Sequence, residues 1–173
     1  GAFTNDDFNA TLSLGGRWRA PWATVYGDVF IDDVPMSPEH GDAYLFAIQG
    51  GVERPVSLLG RPAVAGVEYT RVNNWTYTLR RTGLDYTHHG YVLGHWLGPD
   101  SDLVDVSVRF LEHEGSAPFE VTYQLVRHGE GRIGDVWEEF GTEYARANDF
   151  LTGTVETKHL VGVRREGRFA SMG

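Results

Sequence analysis

Between residues 103 and 112 the chain reads LVDVSVRFLE. In an extended strand Val104, Val106, Val108 and Phe110 point one way, and Asp105, Ser107 and Arg109 the other. A helix repeats every 3.6 residues and cannot sort this run into two faces. The pattern recurs in PFEVTYQLVRH (118–128), where Phe119, Val121, Tyr123 and Leu125 oppose Glu120, Thr122 and Gln124. EHEGSA, between the two runs, has the length of a hairpin loop. Similar runs are NATLSLGGRW, WATVYGDVFI, AYLFAIQGGVE, AVAGVEYTRV and LTGTVETKHLVGVRRE, with RPVSLLGRP joining the fourth to the third.

Each run covers roughly 9–15 residues, against a usual strand length of about 5–6. Membrane-crossing strands need about 9–11. Long strands in chain order with tight turns predict an all-β fold. The expected form is an antiparallel up-and-down meander, as an incomplete β-barrel or curved sheet. WATVYGDVFI carries apolar bulk on both faces, as a central or lipid-contacting strand would. Three connections break the rhythm: DDVPMSPEHGD, the stretch 73–102, and GDVWEEFGTEYARAND. The last predicts one short helix near 135–147, with Trp137, Phe140 and Tyr144 three and four apart and Asp135 as its cap. No linker or repeat divides residues 1–173, which read as one β domain, either whole or part of a longer barrel. The opening GAFTNDDFN reads as mid-protein sequence.

The 173 residues include 22 glycines, 7 prolines and 41% hydrophobic residues, enough for a core with many turns. A formal net charge of −9 without a basic cluster speaks against nucleic acid. The absence of cysteine excludes disulfides, thiolate metal sites and cysteine nucleophiles. No apolar stretch is long enough for a membrane helix, a test that a β-barrel escapes.

Residues 73–102 concentrate the polar chemistry. Trp75, Tyr77, Tyr86, Tyr91 and Trp96 are the candidate ligand-binding residues: flat rings stack on sugar faces or on a partner, or sit at headgroup level around a barrel. The same rings also serve to pack a loop. His88, His95, Asp100 and Asp102 are weak metal candidates; adjacent His88 and His89 point apart in extended chain, and the spacing fits no known signature. Asp32, Asp33, Glu39 and Asp42 lack the calcium-loop pattern. Glu138 and Glu139 are neighbours that do not flank one glycosidic bond. No nucleophile elbow or phosphate loop is present, so no catalytic residue, metal or cofactor is assigned.

The runs VEYTRVNNWTYT (67–78) and GYVLGHWLGPDSD (90–102), with RWRAPWATVYGDVFIDD and YQLVRHGEG around them, resemble the capsule-assembly, Wzi-like family of outer-membrane β-barrels. The likeness covers most of these residues and corresponds to the later part of the family's barrel. It implies a non-enzymatic protein of the bacterial cell envelope, set in the outer membrane and associated with surface polysaccharide. Membrane or membrane-protein neighbours are the partners expected. Two alternatives stand beside it: a structural accessory subunit of a larger membrane complex, such as an electron-transfer or photosynthetic one, and a carbohydrate-binding or carbohydrate-active β protein.

Overall fold

The computed structural model describes residues 11–32, 45–78, 87–88, 91–92, 94–133 and 150–165, with backbone alone for 87–88 and 91–92. Seven strands form one antiparallel sheet: β1 (Leu12–Arg19), β2 (Thr24–Ile31), β3 (Phe46–Leu58), β4 (Arg61–Val72), β7 (Ser101–Phe110), β8 (Phe119–His128) and β9 (Glu156–Arg165). They lie side by side in chain order, as the meander predicts. The short β5 (Thr87–His88) and β6 (Tyr91–Val92) pair with each other inside the β4–β7 connection. Among the described residues β1 and β9 each have one strand neighbour, so the sheet is open and not a closed barrel. The expected helix at 135–147 lies outside the described residues.

The two ends of the sheet differ. At one end the connections are short: 20–23, 59–60 and 111–118. At the other they are long: 32–45, 73–100 and 129–155. Two of the short ones reverse through a two-residue turn, which is the whole of 59–60 and the tip of 111–118. Leu59 and Gly60 have φ of 53° and 75°, and Glu114 and Gly115 have 48° and 76°. Paired positive φ values match the strand twist, and a glycine in second place tolerates them. RPVSLLGRP therefore does not join two strands as a loop. It completes both, because only Leu59–Gly60 is needed to reverse the chain.

Directly paired residues share a face, so the register sorts the sheet into lateral rungs. One rung runs Trp18, Val25, Val52, Val67, Val106, Tyr123, Val161 across all seven strands. It is called the central rung below, and "above" means toward the long connections. Every member is exposed. The rung behind it, on the other face, runs Arg17, Tyr26, Gly51, Glu68, Asp105, Gln124, Leu160. One face is thus apolar and the other mainly polar.

Glycines show which face the sheet closes upon. On the polar face a Cβ at Gly51 would lie 2.5 Å from the Tyr26 ring, at Gly66 3.0 Å from Ser107 and at Gly162 2.7 Å from Thr122; at Gly15 it would collide with Asp28. On the apolar face Gly16, Gly27 and Gly50 meet no side chain within 4 Å. The polar face is the crowded, inward one, and the apolar face is splayed and open. A water-soluble sheet is built the opposite way round. The buried apolar clusters are small and sit on the inward face near the long connections. One joins Ala47, Val72 and Tyr77 with Phe30 and Ile133; the other joins Leu97, Leu103 and Val126.

Candidate functional site

The inward face is held by side-chain hydrogen bonds. Tyr26 donates its hydroxyl to Glu68 at 2.7 Å, and Gln124 its amide to Asp105 at 2.6 Å. Glu120 accepts from Arg109 and Arg164, and the Arg17 guanidinium lies 5.2 Å from the centre of the Tyr26 ring. Polar groups crowded on one face need such partners, since each unmet one costs about 1–3 kcal/mol.

Above the sheet, the long connections meet at a buried carboxylate. Asp100 is fully buried and accepts backbone N–H groups from Gly131 (3.1 Å), Leu151 (2.8 Å) and Thr152 (3.0 Å), together with the Thr152 hydroxyl. Its own backbone donates to the Asn73 carbonyl and accepts from Gly129. One residue therefore ties the β4–β7 connection to both arms of the β8–β9 connection. Asp32, at the end of β2, accepts the Tyr77 N–H.

The candidate aromatics divide. Trp75 and Tyr77 are only 9% and 3% exposed. Both occupy left-handed backbone, at φ 66° and 74°, a conformation that costs a non-glycine residue about 1–2 kcal/mol. The Tyr77 ring packs 5.6 Å from Phe30, and its hydroxyl accepts the His95 N–H at 3.1 Å. The Tyr77 ring seats the connection on the sheet, and neither ring faces solvent. Trp96 is 64% exposed, its ring 5.8 Å from that of His95. Tyr91 contributes backbone to β6, paired with His88. Tyr86 lies outside the described residues, as do Asp33, Glu39, Asp42, Glu138 and Glu139.

Of the weak metal candidates, His88 is described by its backbone alone, and the other three belong to no metal-holding group among the described residues. Asp100 is committed to the N–H groups above it, and Asp102 to Arg127. The His95 imidazole is pushed below its ordinary pKa by burial, against the pull of the Glu68 charge. Among the described residues no group of three or more acidic or histidine side chains is disposed to hold an ion.

Sequence reasoning did not single out the upper boundary of the apolar face. At its lower limit stand the exposed Trp18 and Trp22, edge to face at 6.2 Å, and a Phe110–Phe119 pair stacked at 4.5 Å, of which Phe110 is buried. At its upper limit on β4, β7 and β8 stand Arg71, Asp102 and Arg127, consecutive in one rung. Arg127 holds Asp102 through two nitrogens, and the Tyr69 hydroxyl donates to the same carboxylate at 3.2 Å. Arg71 donates through Nε to Asn73 at 2.8 Å, and its guanidinium lies 3.8 Å from the centre of the Phe150 ring. Register made these groups neighbours, and register is not visible in sequence. Comparison with protein-family models, curated proteins and solved structures found no match in any of the three.

Proposed function

We propose that this chain forms part of the wall of a β-barrel in a bacterial outer membrane. In this reading its apolar face meets lipid, its polar face lines the interior, and its long connections gather at the outer pole. The protein is non-enzymatic and works beside surface polysaccharide, in keeping with the resemblance to capsule-assembly barrels. The observation that carries the reading is the inversion of the faces: on the open side an exposed apolar side chain of the central rung stands on each of the seven strands, and the crowded side is mainly polar.

The outline of the apolar belt adds support. On β1 and β2 it fills the central rung and the three above it, from Trp18 to Leu12 and from Val25 to Ile31. On β7 and β8 it fills one rung above the central one and two below, from Val104 to Phe110 and from Leu125 to Phe119. Its height is four rungs in both places, roughly 20 Å from first to last along a strand at about 3.4 Å per residue. At a tilt near 40° that spans about 16 Å of depth between its outermost backbone positions, which fits inside the ~25 Å band of known barrels. The belt also steps down by two rungs, about 14 Å, across four strand spacings of about 4.8 Å. A level belt then requires strands tilted by about 35°, the angle at which barrel strands cross membranes. Exposed aromatics at the lower limit, and short turns opposed to long loops, fit the same picture. Trp96, exposed among the long connections, is the ring best placed to meet a sugar.

The test exploits the absence of cysteine from these 173 residues. Single cysteines at Val104, Val106, Tyr123 and Val161, and at Asp105, Ser107, Thr122 and Gln124, are spin-labelled in the full-length protein in phospholipid vesicles. The first set is expected to be accessible to oxygen dissolved in lipid, and the second to water-soluble nickel complexes. A chain that stays in the aqueous fraction, or labels without this alternation, would overturn the reading.

A further inference from the structure

The cluster at the upper limit of the belt has a chemistry of its own. Two guanidiniums, Arg71 and Arg127, flank one carboxylate, Asp102, so the rung carries a formal charge of +1 beside apolar surface. Tyr69, Val104 and Leu125 of the next rung lie immediately below it. Asp102 is saturated by Arg127 and Tyr69. Arg71 is not spent on it. Its Nε is fixed by Asn73, and its central carbon lies 3.8 Å from the centroid of the Phe150 ring and 5.8 Å from that of Phe46. Among the described residues its two terminal nitrogens meet no acceptor. The outcome is a guanidinium held in place, with its forked edge unoccupied among the described residues and its charge not cancelled by the neighbouring carboxylate.

A positioned guanidinium fork matches the oxygens of a phosphate, and more of its charge is expressed beside apolar surface than in open water. We infer that Arg71, supported by Arg127, binds the phosphate of a membrane lipid headgroup at the boundary between the apolar belt and the long connections. A lipid is the occupant because the site is on the open apolar face, where a headgroup arrives with its acyl chains against Val104 and Leu125. The polar face, where a free anion would enter from water, is on the other side of the sheet. The inference rests on the membrane reading and adds a headgroup to it.

The experiment is native mass spectrometry of the full-length protein, released from detergent micelles holding equimolar phosphatidylcholine and phosphatidic acid. The wild type is expected to retain phosphatidic acid several-fold over phosphatidylcholine. Arg71→Gln is expected to bring that ratio to the mixing ratio. Arg71→Lys keeps the charge without the fork and is expected to fall between. Arg109→Gln, on the inward face, leaves the enrichment intact. An unenriched wild type, or an Arg71→Gln variant as enriched as wild type, overturns the inference and makes the cluster a structural ion pair only. Failure of the membrane reading looks different: no lipid of either class is retained, and the protein is monodisperse without detergent. Lipid-facing labels at Val106 in each variant report whether the strand is still in place.

Discussion

Val106→Lys separates the inverted sheet from an ordinary one by the sign of its effect. Val106 is on the central rung of β7 and is exposed. If water covers this face, exchanging an exposed valine for lysine changes stability by no more than about 0.5 kcal/mol. If lipid covers it, the cost follows depth. The belt on β7 runs from Val104 to Phe110, so its midpoint is at residue 107 and Val106 is one residue, about 3.4 Å, away along the strand. At a tilt near 40° that is under ~3 Å of depth, and a lysine near the midplane costs about 2–4 kcal/mol. Val108 lies equally close on the other side and is expected to match. Val104, three residues from the midpoint, is nearer the boundary and is expected to lose only about 1 kcal/mol. Ser107→Lys, between Val106 and Val108 but on the inward face, stays outside this depth series. The assay is reversible urea unfolding in phospholipid vesicles, followed by tryptophan fluorescence. A neutral or stabilising Val106→Lys, or losses that ignore depth, would refute the assignment of this face to lipid.

Three further outcomes concern the connections. Asp100→Asn removes a buried carboxylate oxygen that serves the N–H groups of Gly131, Leu151 and Thr152; the expected loss is roughly 2–4 kcal/mol, read as a lower urea midpoint, with amide exchange at those residues speeded first. Gly94→Ala would drive a Cβ into the Tyr77 ring and should cost about 1–3 kcal/mol; the paired Tyr77→Ala should remove most of that extra penalty in a double-mutant cycle. His95 is held neutral by burial in the folded state, while its unfolded imidazole takes up a proton below about pH 6.5. Its contribution is therefore complete above that pH and is lost as the pH falls further. The urea midpoint should drop between pH 7 and pH 5, and His95→Gln should flatten that part of the profile.

Strand positions and the partition of β7 and β8 were legible because alternation is a local property. Val104, Val106 and Val108 cannot share a face with Asp105 and Ser107 in any extended chain. Which face would be outside was not legible. Alternation reads the same whether the apolar side is packed against protein or left open, and the answer came from the glycines. Gly51 admits the Tyr26 ring from the next strand and Gly16 admits nothing, a difference that depends on curvature and not on composition. The extent of β9 was over-read: LTGTV alternates with the rest, yet Leu151 and Thr152 are drawn off to Asp100 and the strand starts at Glu156. Trp75 and Tyr77 stood out as rings available to a ligand. Both are buried instead, in left-handed backbone, and nothing in the residue types announces a left-handed turn of two aromatics.

The inversion also bears on how this chain stays folded. A seven-strand face is about 29 Å across, and a belt of four rungs is about 20 Å from first to last along the strands, so its flat projection is near 600 Å². That already equals the largest apolar patch usual on a soluble monomer. Covering it is worth on the order of 15 kcal/mol at 25 cal/mol per Å², as much as the whole stability of a typical domain. The two small inward clusters around Val72 and Leu103 cannot substitute for that. What remains within the protein is directional: strand ladders, hydrogen-bonded pairs such as Tyr26–Glu68, and the Asp100 carboxylate that binds the connections together. Directional bonds fix a shape, but against water each contributes only about 0.5–1.5 kcal/mol net. The fold and its solvent are therefore one problem. The register is encoded by polar pairing on the inside, and the free energy that holds it comes from whatever lies against the outside.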